Sequence, residues 1–151
     1  MPDREWRGLA IDDLDGIYLE ITRGFLVPPA VRGTDYIVSA RAGRVAGNRV
    51  ADKIESILLE GYIRADPTAG EGPEEWFAKR QLLLASLGEA GVTAGQLIVR
   101  SPDYGLPAGV VATINARVKN WVEGKILAYR DQTWSVELES IDAAGWVLTG
   151  P

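Results

Sequence analysis

The sequence predicts a mainly β protein of antiparallel strands, with a single α-helix inserted in the middle and a long β-hairpin. Apolar and polar residues alternate along residues 110–122 and 133–141, as they do in strands with one buried face. Only residues 73–88 repeat their apolar side chains at helical spacing. A chain of 151 residues is long enough for one hydrophobic core, so we expect a single domain over residues 1–151.

The composition excludes several classes of function. The chain has no cysteine and no histidine, so it has no disulfide, no thiolate nucleophile, no histidine-based triad and no ordinary zinc site. We therefore expect no metal, no cofactor and no enzymatic activity. The 16 basic and 21 acidic residues give a net charge of -5, which argues against a protein that coats nucleic acid.

The N-terminal residues carry no apolar signal-peptide core, and no apolar run is long enough for a membrane helix. We therefore expect synthesis in a cytoplasm and no membrane binding by the protein itself.

The first third of the chain predicts two hairpins. Asp15-Gly16 lies between two short apolar segments and indicates a tight hairpin turn. Pro28 and Pro29 exclude a central strand, so we read them as a connector into a strand at residues 36–40. Residues 53–64 form a second, strongly apolar strand. These two strands would be the arms of a long hairpin, with the segment Arg41–Lys53 at its tip.

The remainder predicts one helix and four strands. Pro73 suits the first turn of a helix, acidic residues follow it, and Gly88 is a natural end. The apolar stripe of this helix consists of Trp76, Phe77, Leu83, Leu84 and Leu87. Strands are expected at residues 96–100, 110–122, 125–129 and 133–141, with Asp131-Gln132 in a turn.

The segment Arg41–Lys53, RAGRVAGNRVADK, is basic within an acidic chain. A phosphate-binding loop is excluded because the glycine spacing and the strand-to-helix context are missing. A nucleic-acid contact remains an alternative, although no aromatic residue lies in the segment to stack on bases. Docking on another protein is the third reading, since arginine forms bidentate contacts that favour interfaces.

Two groups of carboxylates also need an interpretation. Asp12, Asp13 and Asp15 contain only a fragment of a calcium-loop pattern, and a solvated turn accounts for them. Glu137 and Glu139 share the polar face of one predicted strand. They form either a hydrated surface or, less simply, an acid/base pair.

Several short motifs follow one another in a characteristic order. They are V-R-G-x-D at Val31–Asp35, a Gly/Arg loop at Arg41–Gly47, N-R-V-A-D at Asn48–Asp52, I-x-L-x-G at Ile57–Gly61, a helix with Trp76, Arg80 and Leu83, and G-x-L-x-V at Gly95, Leu97 and Val99. In this order the chain resembles the N-terminal, tube-like domain of the distal tail proteins of long-tailed, siphovirus-type phages. The resemblance extends over nearly the whole chain and is most specific between residues 31 and 61.

The resemblance implies a virion structural protein at the tail tip. It implies an antiparallel β-sandwich or barrel of the tail-tube type with a flanking helix. Six such domains would form a homo-hexameric ring that joins the tail tube to the tail-tip or baseplate proteins, with DNA only in transit through the lumen. Long hairpins would reach neighbouring subunits, here through Arg41, Arg44, Asn48, Arg49 and Asp52. Because Glu137 and Glu139 share a polar face, we further expect them to face the lumen. The alternatives are a major tail-tube protein and a nucleic-acid-binding adaptor that acts through Arg41–Lys53.

Overall fold

A computed structural model describes residues 1–27, 31–37, 44–51, 56–90, 94–127, 131–141 and 145–151. The elements, in chain order, are β1 (Arg4–Trp6), β2 (Leu9–Ala10), β3 (Ile17–Arg23), β4 (Val31–Ile37), β5 (Arg44–Ala51), β6 (Ile57–Arg64), α1 (Pro73–Ala90), β7 (Gly95–Arg100), β8 (Val111–Leu127), β9 (Asp131–Ser140) and β10 (Val147–Thr149). The predicted class, mainly antiparallel β with one helix, is confirmed.

The strands form two sheets. The larger sheet has the order β2-β1-β7-β8-β9-β6-β3, and β10 also pairs with β8. Every pairing in it is antiparallel. The smaller sheet consists of β4 and β5 alone, paired antiparallel from Val31↔Ala51 to Ile37↔Arg44.

The two ends of the larger sheet meet through one residue of the connection after β2. The Ile11 amide donates to the Arg4 carbonyl of β1 at 3.1 Å, and the Leu19 amide of β3 donates to the Ile11 carbonyl at 2.9 Å. The Arg4 side chain crosses the same seam, because its Nε donates to the Leu19 carbonyl at 2.9 Å. The sheet is therefore curled until β3 meets Ile11, which continues β2 along β1, as in a barrel.

The Arg4 guanidinium is buried and fully engaged at this seam. Only 4% of the residue is exposed. Its Nη2 donates to the Ile11 carbonyl at 3.3 Å, and its Nη1 forms an ion pair with Asp103. The Tyr18 and Tyr104 rings lie 5.0 and 5.6 Å from the guanidinium carbon. Tyr104 also accepts a hydrogen bond from the Ile21 amide at 2.6 Å, so one loop secures both the cation and β3.

The core lies between the curled sheet and α1. The buried side chains of the two long strands alternate as predicted, at Ala112, Ile114, Ala116 and Val118 on β8 and at Trp134, Val136 and Leu138 on β9. Helix α1 contributes Trp76, Leu83 and Leu87, and Leu84 packs partly against them. The prediction is wrong for Phe77, which is 54% exposed.

The predicted long hairpin is wrong in its pairing. Strand β4 begins at Val31 and pairs with β5, so residues 44–51 form a strand and not a loop tip. Strand β6 pairs instead with β3 and β9. Short-range pairing is favoured because it closes a smaller loop than a partner at residues 53–64. The predicted positions 38–40, 41–43 and 52–55 lie outside the described residues.

Four smaller corrections concern boundaries. Strand β8 continues without interruption from the predicted 110–122 strand into the predicted 125–129 strand, as far as Leu127. Strand β9 already begins at Asp131. Gln132, predicted to lie in a turn, is buried in β9. Its side-chain Nε2 donates to the Gly124 carbonyl at 3.0 Å, and its Oε1 accepts from Trp134 Nε1 at 3.1 Å. Helix α1 continues past Gly88 to Ala90.

The turn at Asp15-Gly16 closes a short hairpin, in which Asp12 bridges Tyr18. The Asp13 amide donates to the Ile17 carbonyl at 3.0 Å and the Leu19 amide to the Ile11 carbonyl at 2.9 Å, while β2 itself pairs with β1. Gly16 has φ +78°, and a Cβ there would lie 2.5 Å from the Arg64 carbonyl oxygen. This turn therefore requires glycine.

Replacing Arg4 by Met should destabilise the fold by about 3 kcal/mol, because it leaves Asp103 unpaired and removes the Arg4 donors from the Leu19 and Ile11 carbonyls, of which Ile11 keeps only the Leu19 amide. The control is Arg64→Met, which removes a half-exposed ion pair with Asp13 and should cost less than about 1 kcal/mol. Urea unfolding of both variants at one protein concentration measures the difference. Equal losses would contradict the role of Arg4.

The surroundings of Tyr18 predict that the free energy of unfolding depends on pH in the alkaline range. Its hydrogen bond to Glu20, assisted by burial, raises the pKa of Tyr18 from 10.0 to about 12. The folded state therefore holds this proton more tightly, so its stabilisation is complete below pH 10 and is lost as the pH rises through about 12. We expect Tyr18→Phe to make the unfolding free energy less dependent on pH in this range. An unchanged slope would argue against this assignment.

Candidate assembly surface

Strand β8 has one long edge without a strand partner. On one side, β7 pairs only with residues 111–116. On the other side, β10 pairs with residues 111–113 and β9 with residues 116–127. Residues 117–127, here called the distal β8 segment, therefore pair with β9 alone among the residues the structure describes. Unpaired N–H and C=O groups along such an edge can pair with another chain.

The distal β8 segment also exposes large apolar side chains. The exposed fractions are 40% for Trp121, 59% for Val122, 37% for Ile126 and 56% for Leu127. Phe77 of α1, which lines the same groove as Ile126, adds a further exposed ring. An apolar group of this kind beside an open strand edge is typical of a protein interaction surface.

A groove of about 370 Å³ lies between α1 and the distal β8 segment. Its walls are Pro73, Trp76, Phe77, Arg80 and Ile126. Arg80 Nη2 is held by Glu123 Oε1 of β8 at 2.9 Å, which joins the helix to the strand. Trp76 is 3% exposed, and its Nε1–H is buried without a hydrogen-bond partner among the residues the structure describes.

The distal β8 segment is shaped against indiscriminate pairing. The β8–β9 register shifts between Val118 and Asn120 and again between Glu123 and Ile126. Bulges of this kind twist an edge away from random partners, and the lysines at 119 and 125 oppose dry stacking. A Cβ at Gly124 would lie 1.9 Å from Thr133 Oγ1, so the second bulge requires glycine. The surface therefore suits a partner strand that follows the two bulges.

The predicted interface residues fall on or beside the β4–β5 hairpin. Arg44, Asn48 and Arg49 lie on β5, whereas Arg41 and Asp52 lie outside the described residues. The hairpin has no backbone ladder to the larger sheet in the described part of the chain. A two-stranded hairpin alone is marginally stable in water. Its use in an interface stays a prediction.

Glu137 and Glu139 lie on the polar face of β9, next to the distal β8 segment. Glu137 Oε1 lies 3.5 Å from Lys119 Nζ, and Glu139 Oε1 lies 2.5 Å from Arg117 Nε. Each carboxylate is therefore opposed by a cation of the neighbouring strand, which reduces the negative charge available to repel DNA. Their lumen-facing position stays a prediction.

In the acidic turn near the N-terminus, Asp13 is bound by groups of the protein through one of its two carboxylate oxygens. Asp13 Oδ2 accepts hydrogen bonds from Tyr62 Oη and Arg64 Nη2, both at 3.1 Å. Within the described ranges, no cluster of carboxylates is arranged to hold a metal ion. No described helix has the length and apolar character needed to cross a membrane.

Sequence reasoning missed the distal β8 segment. Residues 121–127, WVEGKIL, mix apolar and charged side chains around a glycine, which suggested a break between two strands. The available signal was the density of apolar residues on both sides of Gly124. The missing strand partner depends on where β7 begins, and no local pattern reveals that.

Comparison with known proteins shows a likeness of fold. No protein-family model matches the sequence. No curated protein matches it at a significant level. Among solved structures, the chain is similar to the crystal structure of SPP1 Dit (gp 19.1), described as a paradigm of the hub adsorption apparatus in phages that infect Gram-positive bacteria.

The match to SPP1 Dit has a TM-score of 0.62 at 13% sequence identity, and it covers 99% of this chain and 52% of that chain. This chain therefore spans about half the length of the protein it matches. At this identity the likeness shows a shared fold, and the predicted tail-protein fold is confirmed.

The role of the exposed apolar side chains of the distal β8 segment can be tested by replacing them with charged ones. The double substitution Val122→Lys with Leu127→Lys should change the unfolding free energy by less than about 0.5 kcal/mol, because both native side chains are more than half exposed. Self-association should weaken by at least about tenfold in Kd, since an apolar contact would then bury unpaired charge. Sedimentation velocity measures this effect.

The matched control carries Leu14→Lys with Leu82→Lys, at side chains that are 65% and 56% exposed and lie outside the distal β8 segment. We expect this control to associate like the unmodified protein. Equal weakening by both pairs of substitutions would mean that the distal β8 segment has no special role.

Proposed function

We propose that this protein is a virion structural protein that forms a ring at the distal end of a phage tail tube. The ring is a homo-hexamer that joins the tube to tail-tip or baseplate proteins and lets DNA pass through its lumen. The observation that carries the proposal is the fold shared with SPP1 Dit over 99% of the chain. The sequence motifs between residues 31 and 61 support the same assignment independently of the fold.

The physical chemistry of the described surface favours assembly. The chain combines an open apolar strand edge with a hairpin that is marginal when alone. Pairing such elements between copies satisfies their backbone groups, and closed rotational symmetry does so without open-ended growth. A ring is therefore a direct way to use both features.

An enzymatic role is not part of the proposal. The similar protein is a phage hub component, which supports a structural role. The candidate carboxylates Glu137 and Glu139 are held in ion pairs with Lys119 and Arg117. Such pairs suit a polar surface better than an acid/base couple, whose two groups need different protonation states.

The nearest alternative is the major tail-tube protein, which would share the architecture. The two differ in copy number, because tube rings are stacked many times and a distal ring occurs once. Quantitative mass spectrometry of purified virions, with labelled reference peptides, measures the copies per particle. We expect about six copies, as one closed hexameric ring requires. Hundreds of copies would favour the tube protein, and absence from virions would contradict both.

A nucleic-acid-binding adaptor is the alternative from another class, motivated by the basic residues between Arg41 and Lys53. Fluorescence anisotropy with duplex and single-stranded DNA tests it. A genuine site would bind at low salt and weaken steeply as salt is raised. We expect no such binding, because the chain as a whole is acidic.

The arginines of β5 supply a variant test of assembly. Arg44→Glu with Arg49→Glu should fold normally and fail to form rings, because two favourable charges on the hairpin become unfavourable. The control, Arg44→Lys with Arg49→Lys, keeps the charge and should still assemble, with reduced affinity. Mass photometry gives the oligomer distribution and circular dichroism gives the folded content. Full assembly of the charge-reversed variant would refute the role of these arginines.

A further inference from the structure

We propose that residues 145–151, here called the C-terminal latch, control the segment through which the chain leaves β3. That segment, residues 24–27, is here called the exit segment. While the latch is docked, the exit segment has one direction, and when β10 leaves β8 the exit segment is released. This coupling belongs to the single subunit, so it goes beyond the proposed ring and does not depend on it.

Trp146 joins the latch directly to the exit segment. Its Nε1–H donates to the Gly24 carbonyl at 2.8 Å. Its ring meets the Phe25 ring edge-on, with 5.0 Å between the ring centroids. Both rings pack, partly buried, against the hydrophobic core. A hydrogen bond and an aromatic pair from one side chain restrain both the position and the angle of the exit segment.

The exit segment follows a constrained path beside Trp146. Gly24 has φ +94°, and a Cβ there would lie 2.7 Å from the Ser56 carbonyl oxygen and 3.0 Å from Ile57 Cα. The backbone at Gly24 therefore lies tightly against the start of β6. Leu26 has φ +54°, a conformation that costs free energy in a leucine and persists only where the surroundings impose it. We therefore expect the exit segment to relax once Trp146 is removed.

The exit segment also contacts a fixed part of the barrel. The Phe25 ring lies 4.9 Å from the Tyr104 ring. Tyr104 accepts a hydrogen bond from the Ile21 amide and lies 5.6 Å from the guanidinium carbon of Arg4, at the seam of the sheet. Phe25 therefore lies between the seam and the latch. Because Tyr104 is tied to the seam, the latch is the partner of Phe25 that can leave.

Strand β10 is the weakly held part of this arrangement. It pairs with β8 over three residues, from Val147↔Thr113 to Thr149↔Val111, and all three are exposed. Its outer edge has no strand partner among the described residues. A short strand that buries little apolar surface opens at a low cost in free energy, and an open edge can be captured by another strand. Displacement of β10 withdraws Trp146 as well, so the two segments are coupled.

The absence of cysteine allows spin labels at two chosen positions. Val27→Cys places one label in the exit segment, at a residue that is 46% exposed, and Gln81→Cys places the other on the exposed face of α1. Pulsed electron–electron double resonance measures the distance distribution, with labelled protein diluted in unlabelled protein so that only distances within one subunit count. We expect Trp146→Ala to broaden this distribution at least about twofold, because the exit segment then samples many directions.

Two further variants serve as controls for Trp146→Ala. Trp146→Phe keeps an aromatic ring but deletes the donor to Gly24, so we expect an intermediate width. Trp121→Ala removes an indole of the distal β8 segment and should leave the width unchanged. Circular dichroism measures whether each variant is folded. An unchanged width in folded Trp146→Ala, or equal broadening in Trp121→Ala, overturns the inference.

The coupling must also act in the reverse direction, which gives a test that does not require Trp146→Ala to fold. Phe25→Ala removes the ring on which Trp146 packs, so β10 should leave β8 more often. Hydrogen exchange measured by mass spectrometry should then be at least about tenfold faster at the amides of β10 and unchanged at those of β9. Unchanged exchange at β10, or an equal acceleration at β9, would contradict the role of the latch.

Discussion

The closure of the large sheet by Arg4 is the constraint on which the rest of the structure depends. A buried guanidinium is tolerated only when its donors are satisfied, and here two carbonyls, from Ile11 and Leu19, and the Asp103 carboxylate satisfy them. Because these groups come from both ends of the sheet and from the Asp103–Gly105 turn, the cation fixes how far the sheet curls. The core between the sheet and α1 follows from that curvature.

The seam closes the two ends of the large sheet, so the strand edges that lack a backbone partner lie elsewhere. Among the described strands, the long open edge is the distal β8 segment, and the detached element is the β4–β5 hairpin. Neither feature is accounted for in an isolated subunit, since one exposes apolar side chains at an open edge and the other is marginal as a two-stranded sheet. The proposed assembly into a ring would account for both. It is consistent with the fold that this chain shares with a phage hub protein.

The sequence predicted those elements whose signal is local. Alternation gave the buried faces of β8 and β9, and the helical stripe with Pro73 gave α1. Long-range features were missed. Arg4 carries no local signal, because its partners lie as far along the chain as residue 103. The partner of β4 was misassigned because a basic, glycine-containing segment looked like a loop. The helical period placed Phe77 in the core, but that turn of α1 faces a groove that the sheet leaves open.

The most direct test is electron cryo-microscopy of the purified protein at high concentration. The account predicts closed six-fold rings with a central channel, in which the hairpin of each subunit contacts the next subunit. Monomers alone, or open filaments without a closed ring, would contradict the central claim that this chain is a ring-forming tail protein.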